Sequence, residues 1–377
     1  MSSVLIEGRV LSSALRLHCA IIESGNRFPI LSMVRLSVKG SVLTVTGTDL
    51  DIEAGTRLDP IDAVGEWAVC VGAKLLARIA RIAGPEILLI RPTDDGARIS
   101  FGGVTYDLAA IDQESFPELP GSRGEVIETF GNGSLAALLG KVHWCISKEE
   151  TRYYLNGVCW QTASFGRRFV ATDGHRLAIC RYDADDSGPV RSRIIPRKTV
   201  QILRQFAAGL DVTAFAVVRA NEGGDLAEHP TMIEFGFGQT TLRSKLIDGT
   251  YPDVNRVIPQ PASQRYRITA NRDALLSAVG KASAVRTPFS GRALRFHPDG
   301  DHLAIEMKSP DFGSASVVTD VEWPEGAAEF GLNGGYLADV LNSCRGSVTI
   351  RQIDAGAPMT VSDDDDTMTR VIMPMRV

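Results

Sequence analysis

The sequence predicts an α+β protein in which one unit of two helices and several short strands occurs three times. Three observations lead there. A helix-forming segment recurs near the start of each third of the chain, a second recurs further along each third, and proline- and glycine-rich junctions separate the thirds. The length of 377 residues, with 44% hydrophobic and 23% charged side chains, suits two or three globular domains with sizeable cores.

The first helices are Ser13 to Ile22, Ser134 to His143 and Arg272 to Lys281. Each places apolar residues at helical spacing with a few basic ones among them. Ser134 and Asn271 stand where N-caps belong. The second helices are Lys74 to Gly84, Arg197 to Gly209 and Gly335 to Arg345. Between them lie runs of Val, Ile, Leu and Thr such as Val42 to Thr46, Phe169 to Thr172 and His302 to Glu306, bounded by Gly, Asp and Asn, which read as strands. The junctions Phe116 to Gly124 and Ile258 to Ser263 place domains at residues 1–124, 125–260 and 261–377. Many α+β proteins carry two helices per hundred residues. The constant order of the elements is what favours a repeat.

Several functions are disfavoured. The chain has no Walker loop, no G-x-S-x-G elbow, no H-E-x-x-H pair and no carboxylate couple suited to acid–base work, so an enzyme, a cofactor and a metal site are not expected. The acidic run Asp363 to Asp366 lacks the spacing of a calcium loop and reads as a solvated turn. Six scattered cysteines without a C-x-x-C pair suit reduced thiols in the cytoplasm. No apolar run approaches membrane-spanning length, and Met1-Ser-Ser-Val4, without a basic stretch and a long apolar core after it, leads us not to expect a signal peptide.

The distribution of charge is more informative than its net value of −5. The six helical segments, taken as 11–22, 74–84, 134–146, 197–209, 272–286 and 335–345, hold twelve basic and two acidic residues. The remainder of the chain is therefore strongly acidic. Lys74, Arg78 and Arg81 fall at i, i+4 and i+7 on one helix face, with Leu75, Leu76, Ile79 and Ile82 expected on the core side. Arg197, Gln201 and Arg204 repeat the arrangement. A solvated surface accounts for any one such helix. Five of six with net positive charge point instead to phosphate binding without base reading.

The segment Ala171-Thr-Asp-Gly-His-Arg-Leu-Ala178, with Arg152-Tyr-Tyr-Leu-Asn-Gly157 before it, resembles the β subunit of bacterial DNA polymerase III, the sliding-clamp family. Phe116-Pro-Glu-Leu-Pro120, Lys245-Leu-Ile-Asp-Gly-Thr-Tyr-Pro-Asp-Val254 and Met373-Pro-Met-Arg-Val377 extend the resemblance over the whole chain. It implies three clamp domains, each with two inner helices and outer antiparallel sheets, and a head-to-tail dimeric ring around duplex DNA. Twelve lining helices at interaxial spacings of ~9 Å leave a hole of ~24 Å. The implied function is non-catalytic: to tether the replicative polymerase and other clamp-binding proteins, after loading by a clamp loader.

The resemblance also implies residue roles. DNA contacts fall on Arg27, Lys148, Tyr153 and Tyr154, beside the helix residues Lys74, Arg78, Arg81, Arg197, Lys198 and Arg204. A partner-peptide pocket, apolar with a polar rim, gathers Leu155, Thr172, Gly174, His175, Arg176, Leu177, Pro252, Arg256, Val257, Asn333, Tyr336, Val371, Ile372, Met373, Pro374, Met375 and Arg376. The dimer interface involves Tyr106, Leu108 and Phe289. Two features depart from the family: Lys308 to Ser316 is poor in acidic residues, and the chain ends in Val377 where Leu is common. The alternative reading is a specialised or decoy clamp that acts mainly as a peptide-binding scaffold.

Overall fold

The protein, described by a computed structural model, is defined at all positions except 1, 24, 26–27, 121, 164–165, 184–190, 219–230, 286–292 and 310–312. Six α-helices form among the described residues: α1 (Gly8–Ile21), α2 (Ala73–Ala83), α3 (Ser134–Val142), α4 (Arg197–Phe206), α5 (Arg272–Ala282) and α6 (Gly334–Asn342). They overlap the six segments read from the sequence, with α1 starting five residues earlier than read and α4 and α6 each ending three residues sooner. The Asn271 side chain caps α5 by accepting from the amides of Asp273 and Ala274 at 3.0 and 3.1 Å. Ser134 is not a cap but the first helical residue. Asn132 and Gly133 before it have positive φ, and Asp211 accepts from the Asn132 amide at 2.5 Å.

The threefold repeat is visible in the hydrogen bonding. A strand precedes each first helix, Ser3–Glu7, Ser122–Phe130 and Tyr266–Asn271, directly in the first and third repeats and after a three-residue turn in the second. The strand after each second helix returns antiparallel beside it: Ile87–Thr93, Val212–Val218 and Ser347–Gln352. Where the first helix begins, an amide donates to the turn that ends the second: Arg9 to Gly84, Gly133 to Leu210 and Arg272 to Gly346, at 2.6, 2.9 and 2.9 Å. Gly84, Gly209 and Gly346 all take left-handed φ there, the conformation that terminates a helix at little cost only for glycine.

The sheets do not respect the repeat boundaries. The last strand of the second repeat, Thr240–Lys245, pairs antiparallel with Ile52–Leu58 of the first. In the same way the last strand of the third, Met368–Ile372, pairs with Arg176–Asp183 of the second. The chain accordingly divides into two compact units, Met1–Ala137 with Lys198–Leu246, and Leu138–Arg197 with Ile247–Val377. The first unit carries a thirteen-stranded sheet; the second carries an eight-stranded and a four-stranded sheet. In the first unit, Leu11 and Leu15 of α1 and Leu76 and Ile79 of α2 close a core over Val34, Leu36 and Val45. In the second, Leu275, Val279, Leu337 and Leu341 do the same over Phe296 and Ile350.

The proline-rich junction after the first repeat is a packed strap rather than a loose linker. Phe116 and Leu119 are buried, the Arg35 guanidinium lies 5.1 Å from the Phe116 ring centroid, and Arg35 pairs with Glu118 at 2.6 Å. Glu53 accepts from the Leu119 amide at 2.9 Å. The next repeat begins with the strand Ser122–Phe130, so a boundary at 124 falls inside that strand. The acidic run is also not simply solvated. Asp363 and Arg370 form an ion pair at 2.8 Å with each side chain 2% exposed, and Asp365 takes Lys141 at 2.7 Å. Arg370 further donates to Ser343, at the end of α6, so these carboxylates fasten a hairpin to a helix.

A buried histidine sits where α1 meets the join between the first two repeats. His18 Nε2 lies 3.1 Å from Thr56 Oγ1, which lies 3.1 Å from Thr240 Oγ1. Burial lowers the His18 pKa from 6.5 to about 3. The folded chain therefore stays unprotonated at His18 between those values while the unfolded chain takes up a proton, so stability falls as pH drops through this window. Unfolding free energies from urea titrations between pH 7 and pH 4 should fall more steeply for the wild-type protein than for His18→Gln, with a difference approaching ~1.4 kcal/mol per pH unit. Parallel pH profiles would show that His18 does not govern this loss.

Candidate functional site

The densest group of sequence-predicted residues lies within the second unit. The strand Arg176–Asp183 runs antiparallel to Met368–Ile372 with Arg176 opposite Ile372 and Leu177 opposite Val371. The turn that precedes it is built by its own polar side chains. Thr172 Oγ1 donates to the Arg176 carbonyl and accepts from the Gly174 amide, and Asp173 accepts from the amides of His175 and Arg176. Gly174 has φ +86, a left-handed conformation that disfavours residues with a side chain. Beyond the strand pair, the Met373 amide donates to the His175 carbonyl at 2.8 Å, which holds the C-terminal segment against the turn.

A second layer comes from α6. Asn333 caps this helix through the amides of Gly335 and Tyr336. The Tyr336 ring then stacks on His175, with centroids 5.5 Å apart. Arg176 lies over Tyr336 at 4.6 Å and over Trp144 at 5.4 Å, and binds both Asp173 at 3.0 Å and Asp339 at 2.5 Å. Burial opposes its charge, yet the bonds to Asp339 and Asp173 outweigh this and hold its pKa above the ordinary arginine value. Arg176 is thus a brace between turn and helix, whereas His175 is exposed at the rim. Leu155, Leu177 and Val371 share one buried cluster with Tyr251 and Val254. Tyr251 belongs to this floor although the sequence pointed only to its neighbour Pro252. Pro252, Arg256 and Val257 are exposed on the segment beside it, and Met373 and Pro374 are half-buried before the exposed Met375 and Arg376. Ile372 departs from the group, since it is fully buried in the core of the third repeat.

The basic residues sort less uniformly. Lys74, Arg78 and Arg81 share the exposed face of α2, as their spacing requires. Leu75 and Ile82 do not cover the core side. They are 48% and 59% exposed and flank the basic stripe, while Ala73, Leu76, Ile79, Ala80 and Ala83 are buried. The core stripe is narrower than expected because small alanines let α2 sit close to α1: a Cβ added to Gly8 would meet Ala80 and Ala83 at 2.8 Å. On α4, Arg197 and Arg204 are half-buried, and burial lowers the Arg204 pKa. Lys198 is committed elsewhere, its ammonium donating to Asp49 and to the Ile21 carbonyl at the end of α1, both at 2.5 Å. Lys148 is exposed, and Tyr153, 54% exposed, meets Tyr154 edge-on at 5.8 Å. Arg27 and Phe289 lie outside the described residues.

Tyr106 and Leu108 lie on the strand Val104–Ile111. Tyr106 stacks on Phe101, and Leu108, 5% exposed, belongs to the core of the first repeat. Leu108 therefore does not offer its side chain to a partner, because alternation along the strand turns it inward. What this strand offers is its edge. Val104–Ala109 pairs with Gly96–Phe101 on one side, and only Ala110 and Ile111 pair on the other.

Among the described residues, no three His, Cys, Asp or Glu side chains are grouped to hold a metal ion, and no helix is long and apolar enough to cross a membrane. The six cysteines are unpaired, and burial raises their thiol pKa values, to about 12 for Cys159.

Two family models match the chain: the N-terminal domain of the DNA polymerase III beta subunit over residues 3–120, and its central domain over residues 130–253. The beta sliding clamp of Caulobacter vibrioides is 30% identical over 99% of both chains. Those of Pseudomonas aeruginosa and Escherichia coli K12 are 29% identical over 99% and 93% of both chains. The crystal structure of the Bartonella birtlesii sliding clamp bound to griselimycin superposes with a TM-score of 0.90 at 29% identity, and that of the Pseudomonas aeruginosa clamp with ligand with 0.89 at 27%, each over the full length of both chains. With a threefold repeat, a turn, strand and helix that gather these residues, and relatives over 93–99% of its length, the chain belongs to the DNA polymerase III beta subunit family, the beta sliding clamps.

Proposed function

We propose that the chain is the protomer of a DNA sliding clamp, a non-catalytic ring that encircles duplex DNA and tethers the replicative polymerase and other proteins that carry a clamp-binding peptide. The observation that carries the reading is the pattern of strand joins. The last strand of the second repeat pairs with the first repeat, and that of the third with the second. The last strand of the first repeat, Val104–Ile111, has no such partner among the described residues, and the strand of the third repeat that corresponds to Ile52–Leu58, Gly313–Glu322, is a sheet edge. Two copies joined head to tail satisfy both edges with the join already used twice within each chain. The result is a closed ring of six repeats with no sticky edge left over. We read the repeats as domains at about 1–124, 125–260 and 261–377. Light scattering at micromolar concentration should give twice the mass of the 377-residue chain; a monomer alone would exclude this closure.

The exposed stripe of Lys74, Arg78 and Arg81 supports the second part of the reading, a lining that attracts phosphates without gripping bases. Arg78→Glu with Arg81→Glu should weaken retention on DNA and flatten the dependence of binding on salt, by about 0.9 in the log–log slope for each phosphate that is no longer neutralised. Lys198→Ala is the control. Because Asp49 already neutralises this ammonium, the substitution should lower the melting temperature and leave the salt slope unchanged. If the arginine reversals leave the slope unaltered, the stripe does not touch DNA.

The cleft of Thr172–Leu177, Tyr336 and the C-terminal segment suits a short peptide with a leading Gln and trailing Leu and Phe. An apolar floor of Leu155, Leu177 and Val371 takes such side chains, each contributing about 1.5–3 kcal/mol at full burial, and the exposed Met375 adapts to their shape. Deletion of Met373–Val377 removes one wall and should weaken a Gln-x-x-Leu-Phe peptide at least tenfold in calorimetry while leaving the dimer intact. Equal affinity in the truncated protein would take the C-terminal segment out of the site. Polymerase and clamp loader are the partners this cleft would serve.

A further inference from the structure

Two segments of the chain pack as straps on a sheet, and among the described residues a third, equivalent face carries none. After its last strand each repeat is anchored at the same place. Ile111 pairs with Cys70, the Ile247 amide donates to the Ile194 carbonyl at 3.0 Å, and the Met375 amide donates to the Gly331 carbonyl at 2.8 Å. Cys70, Ile194 and Gly331 are each the third residue before the second helix of their repeat. Beyond this anchor the first two repeats continue with one pattern, an aromatic, a proline, an acid and an aliphatic: Phe116-Pro-Glu-Leu119 and Tyr251-Pro-Asp-Val254. Both aromatics and both aliphatics are buried.

Strand register identifies what lies beneath. Met33 pairs with Gly72, Gly157 with Pro196 and Ala293 with Asn333, in each case the residue before the second helix. Arg35, Cys159 and Arg295, each two positions further along, are therefore equivalent. Arg35 lies under the Phe116 ring and pairs with Glu118. Cys159 shares a core cluster with Tyr251 and Val254. Among the described residues no such strap lies over Arg295. Met375 provides the anchor, and the face is a groove of about 1090 Å³ lined by Ala293, Arg295, Glu306, Lys308 and Glu329 along with the C-terminal segment. Its size is at the top of the ~300–1,000 Å³ usual for ligand clefts. Arg295 pairs there with Glu329 at 2.5 Å and Glu306 at 3.7 Å, half-exposed contacts that an incoming carboxylate can replace at little cost.

We propose that this groove docks an extended segment of another protein with the chemistry of the two internal straps. The aromatic ring lies over Arg295, the acid binds Arg295 or Lys308, and the aliphatic covers the sheet beyond. The site is distinct from the peptide site proposed at Thr172–Leu177, although Pro374, Met375 and Arg376, which that proposal also includes, line this groove. Arg35 with Phe116 and Glu118 supplies the template: a cation facing an aromatic ring and its neighbouring carboxylate together.

The probe is a labelled peptide with the sequence of residues 114–120, Glu-Ser-Phe-Pro-Glu-Leu-Pro, titrated onto the full chain by fluorescence anisotropy. Saturable binding is expected. It should weaken at least tenfold when Ala replaces Phe in the peptide, and at least tenfold in each of two surface variants of the protein, Arg295→Ala and Ala293→Trp, with His175→Ala binding as wild type. Two variants guard against a misfolded one, and their circular dichroism should match the wild type. No saturation at millimolar peptide, or affinity indifferent to both groove variants, overturns the proposal. Loss of binding in His175→Ala with retention in Arg295→Ala also overturns it and assigns the peptide to the other cleft. The Gln-x-x-Leu-Phe peptide tests that cleft separately, so the two readings fail independently.

Discussion

Unpaired strand edges are the constraint on which this structure turns. An open edge presents a row of backbone amides and carbonyls whose burial without partners costs about 1–3 kcal/mol each. Each repeat here ends on a strand that its own sheets leave open on one side. Inside the chain the strand is taken up by the preceding repeat, Thr240–Lys245 on Ile52–Leu58 and Met368–Ile372 on Arg176–Asp183. The same rule that welds the repeats into continuous sheets leaves Val104–Ile111 and Gly313–Glu322 as complementary ends. Ring closure is then an extension of how the chain folds rather than a separate device. Leu108, turned into the core, fits this view, because the strand contributes its edge and not an apolar side chain.

Much of this was legible in the sequence, and the reasons differ by element. All six helices could be located because each carries apolar residues at helical spacing, although α1 begins at Gly8, five residues before the segment read from the sequence. Asn271 could be recognised as a cap because its side chain bonds locally. Ser134 misled, since the conformation there is set by Asp211, far along the chain. The core face of α2 misled for a related reason. Periodicity assigns Leu75 and Ile82 to the core side by hydrophobicity alone, but the small residues that allow close helix packing, Gly8 and Ala80, decide which stripe is buried. The pairing of Asp363 with Arg370 likewise depends on a hairpin that brings them together, and a run of four aspartates gives no sign of it.

The candidate cleft shows the same division. Short-range chemistry of the Thr172–Arg176 turn, with Asp173 and Gly174 at its tip, is written in five consecutive residues. Its neighbours Tyr336, Asp339 and Met373 come from distant segments, and the sequence linked Tyr336 and Met373 to the turn only through the resemblance. The double use of Arg176, clamped by Asp173 and Asp339 between two aromatic rings, is a property of the fold, and it fixes the turn that His175 crowns. Lys198 makes the parallel point for the basic helices. Its charge reads as a phosphate contact in the sequence, whereas in the structure it holds α4 to the end of α1.

The central claim is that the strand edges close a ring around duplex DNA, and a topological measurement tests it most directly. Protein loaded on a nicked circular duplex is followed through gel filtration before and after a single cut by a restriction enzyme. A closed ring should stay with the circle through repeated washing and leave once free ends are available. Equal retention on circular and linear DNA would contradict it, since binding that ignores ends does not depend on a closed ring.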